Sequence, residues 1–311
     1  MAQLFFVVSY LFTGILQSYQ RFLIPALAPV FYNVGIIFGI LFLTPPFGMY
    51  GVAFGVVIGA LLHLLIQLPF VSELGFRYKP YIDFSHKGIR DILHLMGPRT
   101  ISILLERAKV TVDTMLASLI SLYSVTFLNL AVQLAVFPVS FFAAAIGQAA
   151  FPFLSKAARG KDLSSFKNHM SVALTHITFF LAPTTVLLVV LHTPLIRLIF
   201  GSRLFSWEAT FLTSWTLVFL SLGILFQGLG GLLARGFFAL YDTRTPLIVT
   251  FFSLLSTIVL NVLFVTVFVL PVWSLAIATT IGAIANAVTL FVLLDRRVGG
   301  FDHFTLFISF T

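Results

Sequence analysis

Hydrophobic positions along this chain form long unbroken runs, separated by short connections that carry Pro, Gly and basic residues. Nine runs stand out, at about 2–19, 27–43, 49–71, 97–120, 125–153, 170–191, 210–233, 246–268 and 273–294. Most reach or exceed the roughly 18–20 residues that a helix needs to cross a hydrocarbon core. None alternates with period two, as a barrel strand of about ten residues would. The fifth run is long enough to tilt or to emerge from the bilayer. The pattern predicts an all-α polytopic membrane protein with about nine transmembrane helices.

Composition agrees with that pattern. The 311 residues are 59% hydrophobic and 9% charged, with 37 Phe, and the mean hydropathy is +1.09. The absence of Cys excludes disulfides and thiolate metal sites. The first run lacks a basic start and a small-residue cleavage site, so it does not read as a secretory signal. The net charge of +8 is explained by where the cations lie. Arg21, Arg77, Lys79, Lys87, Arg90, Lys156, Arg159, Lys161, Lys167, Arg235, Arg244, Arg296 and Arg297 fall in alternate connections, on one side. Only Arg197 and Arg203 fall on the other. The positive-inside rule puts the larger set in the cytoplasm, with the N-terminus outside and the C-terminus inside. The basic surface is then a topology signal and a contact for anionic membrane lipids, and no nucleic-acid partner is expected. An uncharged outside start, "MAQLFFVV", leads to the expectation that sequence precedes residue 1.

The runs also repeat. "GVAFGVVIGALLHLL" (51–65) resembles "SLAIATTIGAIANAV" (274–288), with Gly59 opposite Gly282 and His63 opposite Asn286. Upstream, "RFLIPALAPVFYNVGIIFGILFL" (21–43) parallels "DTRTPLIVTFFSLLSTIVLNVLF" (242–264), with Pro25 opposite Pro246. Six helices separate the members of each pair, so the repeat is parallel, with its axis along the membrane normal. A six-helix unit predicts two bundles, an exporter plan with a cavity between them. Residues 1–71 would be the second half of an N-terminal bundle, with three helices missing before them. Residues 72–95 would be a basic cytoplasmic connection, 96–297 a whole C-terminal six-helix bundle and 298–311 a tail.

One run is not apolar. "MGPRTISILLERAKVTVDT" (96–114) holds Arg99, Glu106, Arg107, Lys109 and Asp113. At 100° per residue, with Arg99 at zero, Glu106 falls near −20°, Asp113 near −40°, Lys109 near −80° and Arg107 near +80°. The opposite face carries Leu104, Ala108, Thr111 and Met115. The ionic side cannot face lipid, where each charge costs about 2.5–3.5 kcal/mol even on the lenient scale. Two readings stay open. Glu106–Lys109 (i,i+3) and Lys109–Asp113 (i,i+4) can neutralise one another and fix the helix rotation. Alternatively, Arg107, with no carboxylate at i±4, serves as a bidentate oxyanion ligand. Arg99 sits near the cytoplasmic mouth and can snorkel. The helix sums to +1, so its cavity is expected to attract an anion.

Other candidates lie on neighbouring runs. Gln133 can hydrogen-bond a polar substrate or join two helices. Asn261, Thr279 and Thr280 join Asp113 as oxygen ligands for a hard cation such as Na⁺, or make ordinary interhelical hydrogen bonds. His63, His169 and His176 receive no role. "GLGGLLARG" (228–236) reads as close helix packing and lacks the GK[ST] ending of a phosphate loop. The chain carries no HExxH, GxSxG or Walker A pattern.

Several stretches together resemble one family. "RFLIPALAPVFYNVGIIFG" (21–39), "YGVAFGVVIGALLHLLIQLP" (50–69), "MGPRTI" (96–101), "FPVSFFAAAIGQAAFPFLSKAA" (137–158) and "LARGFFALYDTRTPLIVT" (233–250) look like the MurJ/MviN lipid II flippases. These belong to the multidrug/oligosaccharidyl-lipid/polysaccharide exporter superfamily. The resemblance implies a transporter, not an enzyme, acting in peptidoglycan and cell-wall biogenesis. It would move lipid II, an undecaprenyl-pyrophosphate-linked precursor, from the inner to the outer leaflet by alternating access. It implies no permanently bound cofactor, and a reset by membrane potential or by Na⁺ or another cation. Arg107, Arg99, Lys109 and Gln133 would meet the headgroup, with Glu106 and Asp113 as charge partners. The arginine that many members carry on the eighth helix aligns with Gln133 here. Asp113 aligns with a polar or acidic position where a cation site is plausible. Alternatives are a flippase for another polyprenyl-linked glycan, a membrane enzyme acting on a lipid-linked substrate, or a non-transporting partner of cell-wall synthesis proteins.

Overall fold

The computed structural model describes residues 2–19, 21–75, 87–160, 162–202 and 205–301, with the side chains of 87–99 and of residue 102 outside that description. Among the described residues the chain is helical throughout. It divides into two compact units, Met1–Phe84 and Ser85–Thr311. The basic residues Arg77, Lys79, Lys161 and Arg203, and nearly all of the tail, lie outside the described residues.

The first unit holds α1 (Ala2–Ser18), α2 (Leu23–Phe38), α3 (Thr44–Phe47), α4 (Met49–Leu65) and α5 (Leu68–Glu73). A π-helical turn, Gly39–Leu43, joins α2 to α3. The second holds α6 (Lys87–Ile120), α7 (Ser124–Pro138), α8 (Ala144–Arg159), α9 (Leu163–Val190), α10 (His192–Phe200), α11 (Trp207–Ala239), α12 (Arg244–Val262) and α13 (Trp273–Val298). Further π-helical turns sit at Val139–Ala143, joining α7 to α8, and at Leu263–Val267, ending α12. Seven of these stretches are long and apolar enough to cross a membrane. α1 is apolar but has 17 residues. α6 has 34 residues and carries the ionic side. The nine hydrophobic runs thus become nine long helical stretches among the described residues. The protein is an all-α, multi-pass membrane protein. α10, nine residues long, is an element that the hydropathy pattern did not separate. Its Arg197 stacks over Trp207, 4.7 Å from the ring centroid, and donates to the Phe205 carbonyl at 3.2 Å.

In the first unit the backbones of α2 and α4 touch. A Cβ built on Gly35 would lie 2.3 Å from the Gly59 Cα, and one on Gly39 would lie 2.4 Å from the Gly55 Cα. Small residues one turn apart let membrane helices approach this closely, because lipid supplies no hydrophobic drive of its own. α1 closes the unit through polar groups. Ser9 Oγ and His63 Nδ1 lie 2.6 Å apart. Gln67 Nε2 donates to Ser9 Oγ at 2.7 Å, and Thr13 Oγ1 donates to Gln67 Oε1 at 2.9 Å. Ser9, His63 and Gln67 are all buried, so each needs a partner inside the bundle.

In the second unit α11 is the central helix. Over half of its membrane-length window, 56%, is buried inside the protein, against 22–33% for the other spans of this unit. It carries Thr210, Ser214, Thr216 and Ser221 into the interior, and their hydroxyls donate back along the helix to the carbonyls of Ser206, Phe211, Leu212 and Leu217. That local bonding makes polar residues tolerable where no water reaches. The glycine-rich stretch packs as its composition suggests. A Cβ on Gly228 would meet Leu181 at 2.4 Å and one on Gly236 would meet Met170 at 2.3 Å, whereas Gly231 faces open space. Beyond α11, Asp242 ties three elements together. It accepts from the backbone N–H groups of Arg244 and Thr245 and from the Thr245 hydroxyl, and it pairs with Arg297 at the end of α13. Burial pushes the Asp242 carboxyl up, but the Thr245 hydrogen bonds and the Arg297 charge outweigh it and hold it below the ordinary carboxylate value.

The packing repeats with the sequence. Gly59 on α4 meets the backbone of α2 at Tyr32, and Gly282 on α13 meets α12 at Thr257, 2.0 Å from a built Cβ. Tyr32 aligns with Ser253, whose carbonyl is a further neighbour of the Cβ built on Gly282, at 3.4 Å, so the contact keeps its register in the two units.

The glycine contact between α2 and α4 yields a test. Gly39→Ala forces a backbone separation and is expected to destabilise the protein by about 1–3 kcal/mol, the usual range for overpacking. Gly14→Ala on α1, where a Cβ meets nothing within 4 Å, is expected to be neutral or slightly stabilising. Thermal unfolding in detergent measures both, and equal effects would contradict the backbone contact.

Candidate functional site

α6 turns Lys109 and Asp113 toward α12 and α13. Lys109 and Asp113 are four residues apart on one helix face, and the Lys109 ammonium lies 2.5 Å from Asp113 Oδ2. Both side chains are largely buried, 17% and 13% exposed. That is deep enough for the pair to count energetically, unlike a solvated ion pair. Two more helices complete the cluster. Asn261 Nδ2 on α12 donates to Asp113 Oδ1 at 2.7 Å. Lys109 Nζ also donates to Thr279 Oγ1 on α13 at 3.2 Å. The carboxylate thus has a partner on each oxygen, as a buried charge requires. Asn261 is fully buried, and its Oδ1 has no hydrogen-bond partner among the described residues.

A cavity of about 360 Å³ lies against this cluster inside the six-helix unit. α6 contributes Glu106 and Lys109, α11 Gln227 and Gly231, α12 Thr250, Ser253 and Thr257, and α13 Thr279, Gly282 and Asn286. Asn286 Nδ2 donates to Thr250 Oγ1 at 3.3 Å across it. Each of the four helices puts at least one polar side chain on the wall, beside the apolar Phe226, Leu254 and Ala283.

The structure brings together Lys109, Asp113, Asn261 and Thr279. Thr280 is held elsewhere, its hydroxyl donating to the Phe219 carbonyl of α11 at 2.6 Å. Arg107 is exposed and does not line this cavity. The side chain of Arg99 lies outside the described residues. Gln133 is exposed on α7. The sum of +1 over residues 96–114 therefore does not describe the cavity wall. Among the described residues the charged groups there are Glu106 and Lys109, with Asp113 behind the lysine, and these sum to −1. The helix wheel explains the split. Arg107 and Lys109 are about 160° apart, so one helix cannot turn both cations inward.

Sequence reasoning did not single out Thr250, Ser253 and Thr257. Their i, i+3, i+7 spacing, one polar stripe on an apolar helix, was the available signal. Gln227 had none, since a lone glutamine amid glycines fits close packing equally well.

The family model described as "Lipid II flippase MurJ" matches residues 1–310. A lipid II flippase MurJ from Burkholderia cenocepacia is 29% identical over 300 residues, covering 94% of this chain and 58% of that protein. A probable lipid II flippase MurJ from Vibrio cholerae is 29% identical over 280 residues, covering 89% of this chain and 53% of that protein. Among solved structures, "Lipid II flippase MurJ, inward closed conformation" superposes with a TM-score of 0.76 at 27% identity, over 94% of this chain and 60% of that one. An inward-facing multidrug resistance transporter of the MATE family gives a TM-score of 0.80 at 16% identity, over 96% of this chain and 69% of that one, a likeness of fold. The chain spans about half the length of the curated relatives it matches.

The ion pair yields its own test. Asp113→Ala strands the Lys109 ammonium, and breaking a buried pair this way costs about 3–5 kcal/mol. The double variant Lys109→Met/Asp113→Ala removes both charges and is expected to be more stable than Asp113→Ala alone. Denaturation midpoints at matched conditions decide it. A double variant less stable than the single would show that Lys109 does not depend on Asp113.

Proposed function

The chain belongs to the lipid II flippase MurJ family, and on that premise we propose that it takes part in moving lipid II across a bacterial inner membrane. The cargo is an undecaprenyl-pyrophosphate-linked peptidoglycan precursor, carried from the inner to the outer leaflet by alternating access. The observation that carries the reading is the family match over residues 1–310. It is supported by an ionic helix inside an otherwise apolar bundle, since intramembrane charges mark substrate and ion paths.

The charges divide the work. Arg107, on the exposed flank of α6, is the headgroup ligand. Its planar fork matches the oxygens of a pyrophosphate. Arg99 and Gln133 extend the same polar contact. The inward cluster serves the coupling cation. Asp113, Asn261 and Thr279 offer hard oxygen donors, the kind that Na⁺ prefers. The buried Asn261 Oδ1 is a carbonyl acceptor without a partner among the described residues. Lys109 lies between the two roles. Membrane potential acts on the same charges and resets the cycle.

Orientation follows from the basic residues. A cytosolic reporter fused after Arg296 should be active and one between Pro45 and Gly48 inactive, which alkaline-phosphatase and fluorescent fusions read in opposite senses. The reverse pattern would overturn the proposed orientation.

The function is tested by binding. This chain in lipid nanodiscs is expected to bind lipid II in preference to undecaprenol. Arg107→Ala should weaken that binding about tenfold or more, the scale of a lost charged hydrogen bond, and Arg107→Lys should restore part of it. Binding of another polyprenyl-pyrophosphate glycan with no preference for lipid II would redirect the substrate assignment. Unchanged affinity in Arg107→Ala would remove Arg107 from the headgroup site.

A further inference from the structure

One ammonium on α6 stands between two carboxylates. Lys109 is three residues after Glu106 and four before Asp113, and both spacings bring side chains together on a helix surface. The ammonium sits on Asp113 at 2.5 Å and reaches Thr279 at 3.2 Å. Glu106 shares the cavity wall with it. The three groups sum to −1 beside the cavity. A single monovalent cation would bring the sum to zero. Two donors such an ion would use are in place around the ammonium, Asp113 Oδ2 and Thr279 Oγ1, and Asn261, whose Nδ2 holds the other Asp113 oxygen, has an Oδ1 without a partner among the described residues.

We propose that Lys109 is a tethered counter-ion that exchanges with the coupling cation on Asp113. Without the cation, the ammonium holds Asp113 and Thr279. When a monovalent cation takes those oxygens, the ammonium swings one turn back to Glu106. The inference rests on the cation-coupled reading above and adds how the site survives being empty. A carboxylate left bare inside a helix bundle carries a desolvation penalty of several kcal/mol. An alternating-access protein must pass through an ion-free state, and Lys109 covers Asp113 there. The exchange needs only rotamer changes along a four-carbon stem, with no movement of the helix backbone. Lysine suits this role because its ammonium is a compact charge on a flexible arm. The same competition sets the ion affinity, since any cation must displace a group already bound. Glu106 supplies the displaced ammonium with its second partner.

The test is a Na⁺ titration of this chain in detergent at constant ionic strength, with choline as the replacing cation. Calorimetry and the thermal midpoint are the readouts. Lys109→Met is expected to bind Na⁺ about tenfold or more tightly than the parent, and Glu106→Gln about tenfold more weakly, within the usual range of coupling between sites. Asp113→Asn should abolish the response. If Lys109→Met does not fold, Glu106→Gln decides alone, because it alters a side chain on the cavity wall and leaves the Asp113 pair intact. Unchanged Na⁺ affinity in Glu106→Gln, or in a folded Lys109→Met, overturns the exchange while the loss in Asp113→Asn keeps the cation site. If the parent shows no response to Na⁺, Li⁺ or K⁺, the cation-coupled reading itself has failed, and the exchange with it.

Discussion

A charge inside a lipid-embedded helix bundle persists only where an opposite charge and hydrogen bonds already wait for it. The second unit is arranged around one such place. Asp113 is held by Lys109 from its own helix and by Asn261 from α12, and Thr279 of α13 completes the set. For these side chains to meet, α13 must lie close to both α11 and α12. Glycines make that possible. A Cβ on Gly223 would crowd Thr280 at 2.8 Å, and one on Gly282 would crowd Thr257 at 2.0 Å. The small residues set the helix spacing, and the spacing sets the cluster.

The two units use one packing device for different ends. In the first, glycines of α2 meet glycines of α4 and the contact is closed by backbone alone. In the second, the corresponding contact seats a glycine of α13 against Thr257 of α12. One turn further along α12 comes Asn261, opposite Ile40 of the π-helical turn that follows α2. A repeat that is sealed in one unit thus holds polar side chains in the other. His63 and Asn286, opposite one another in the repeat, show the same divergence. His63 is buried in a clasp with Ser9, and Asn286 lines the cavity.

Much of this was legible in the sequence, for physical reasons. Membrane spans are long and apolar because lipid leaves no alternative, so nine runs translate into nine helical stretches among the described residues. The i,i+4 spacing of Lys109 and Asp113 made their pairing readable, and the hard-oxygen character of Asp113, Asn261 and Thr279 made their grouping readable. Thr280 was not separable from Thr279, because neighbouring residues differ by 100° and only packing says which one faces α6. The +1 of residues 96–114 differs from the charge at the cavity wall for a related reason. Net charge is a sum over the whole surface, whereas a cavity sees only the side that lines it. α10 escaped notice because nine residues with Arg197 among them are too short and too polar for a hydropathy window.

The central claim is that Lys109 and a monovalent cation take turns on Asp113. It can be read directly from the distance between the two side chains in a bilayer. Carbon–nitrogen dipolar-recoupling NMR between Lys109 Nζ and the Asp113 carboxyl carbon should show strong coupling in choline buffer, as the 2.5 Å contact requires. On addition of saturating Na⁺ that coupling should disappear, and one between Lys109 Nζ and the Glu106 carboxyl carbon should replace it. A Lys109–Asp113 coupling that persists unchanged in Na⁺ would contradict the account.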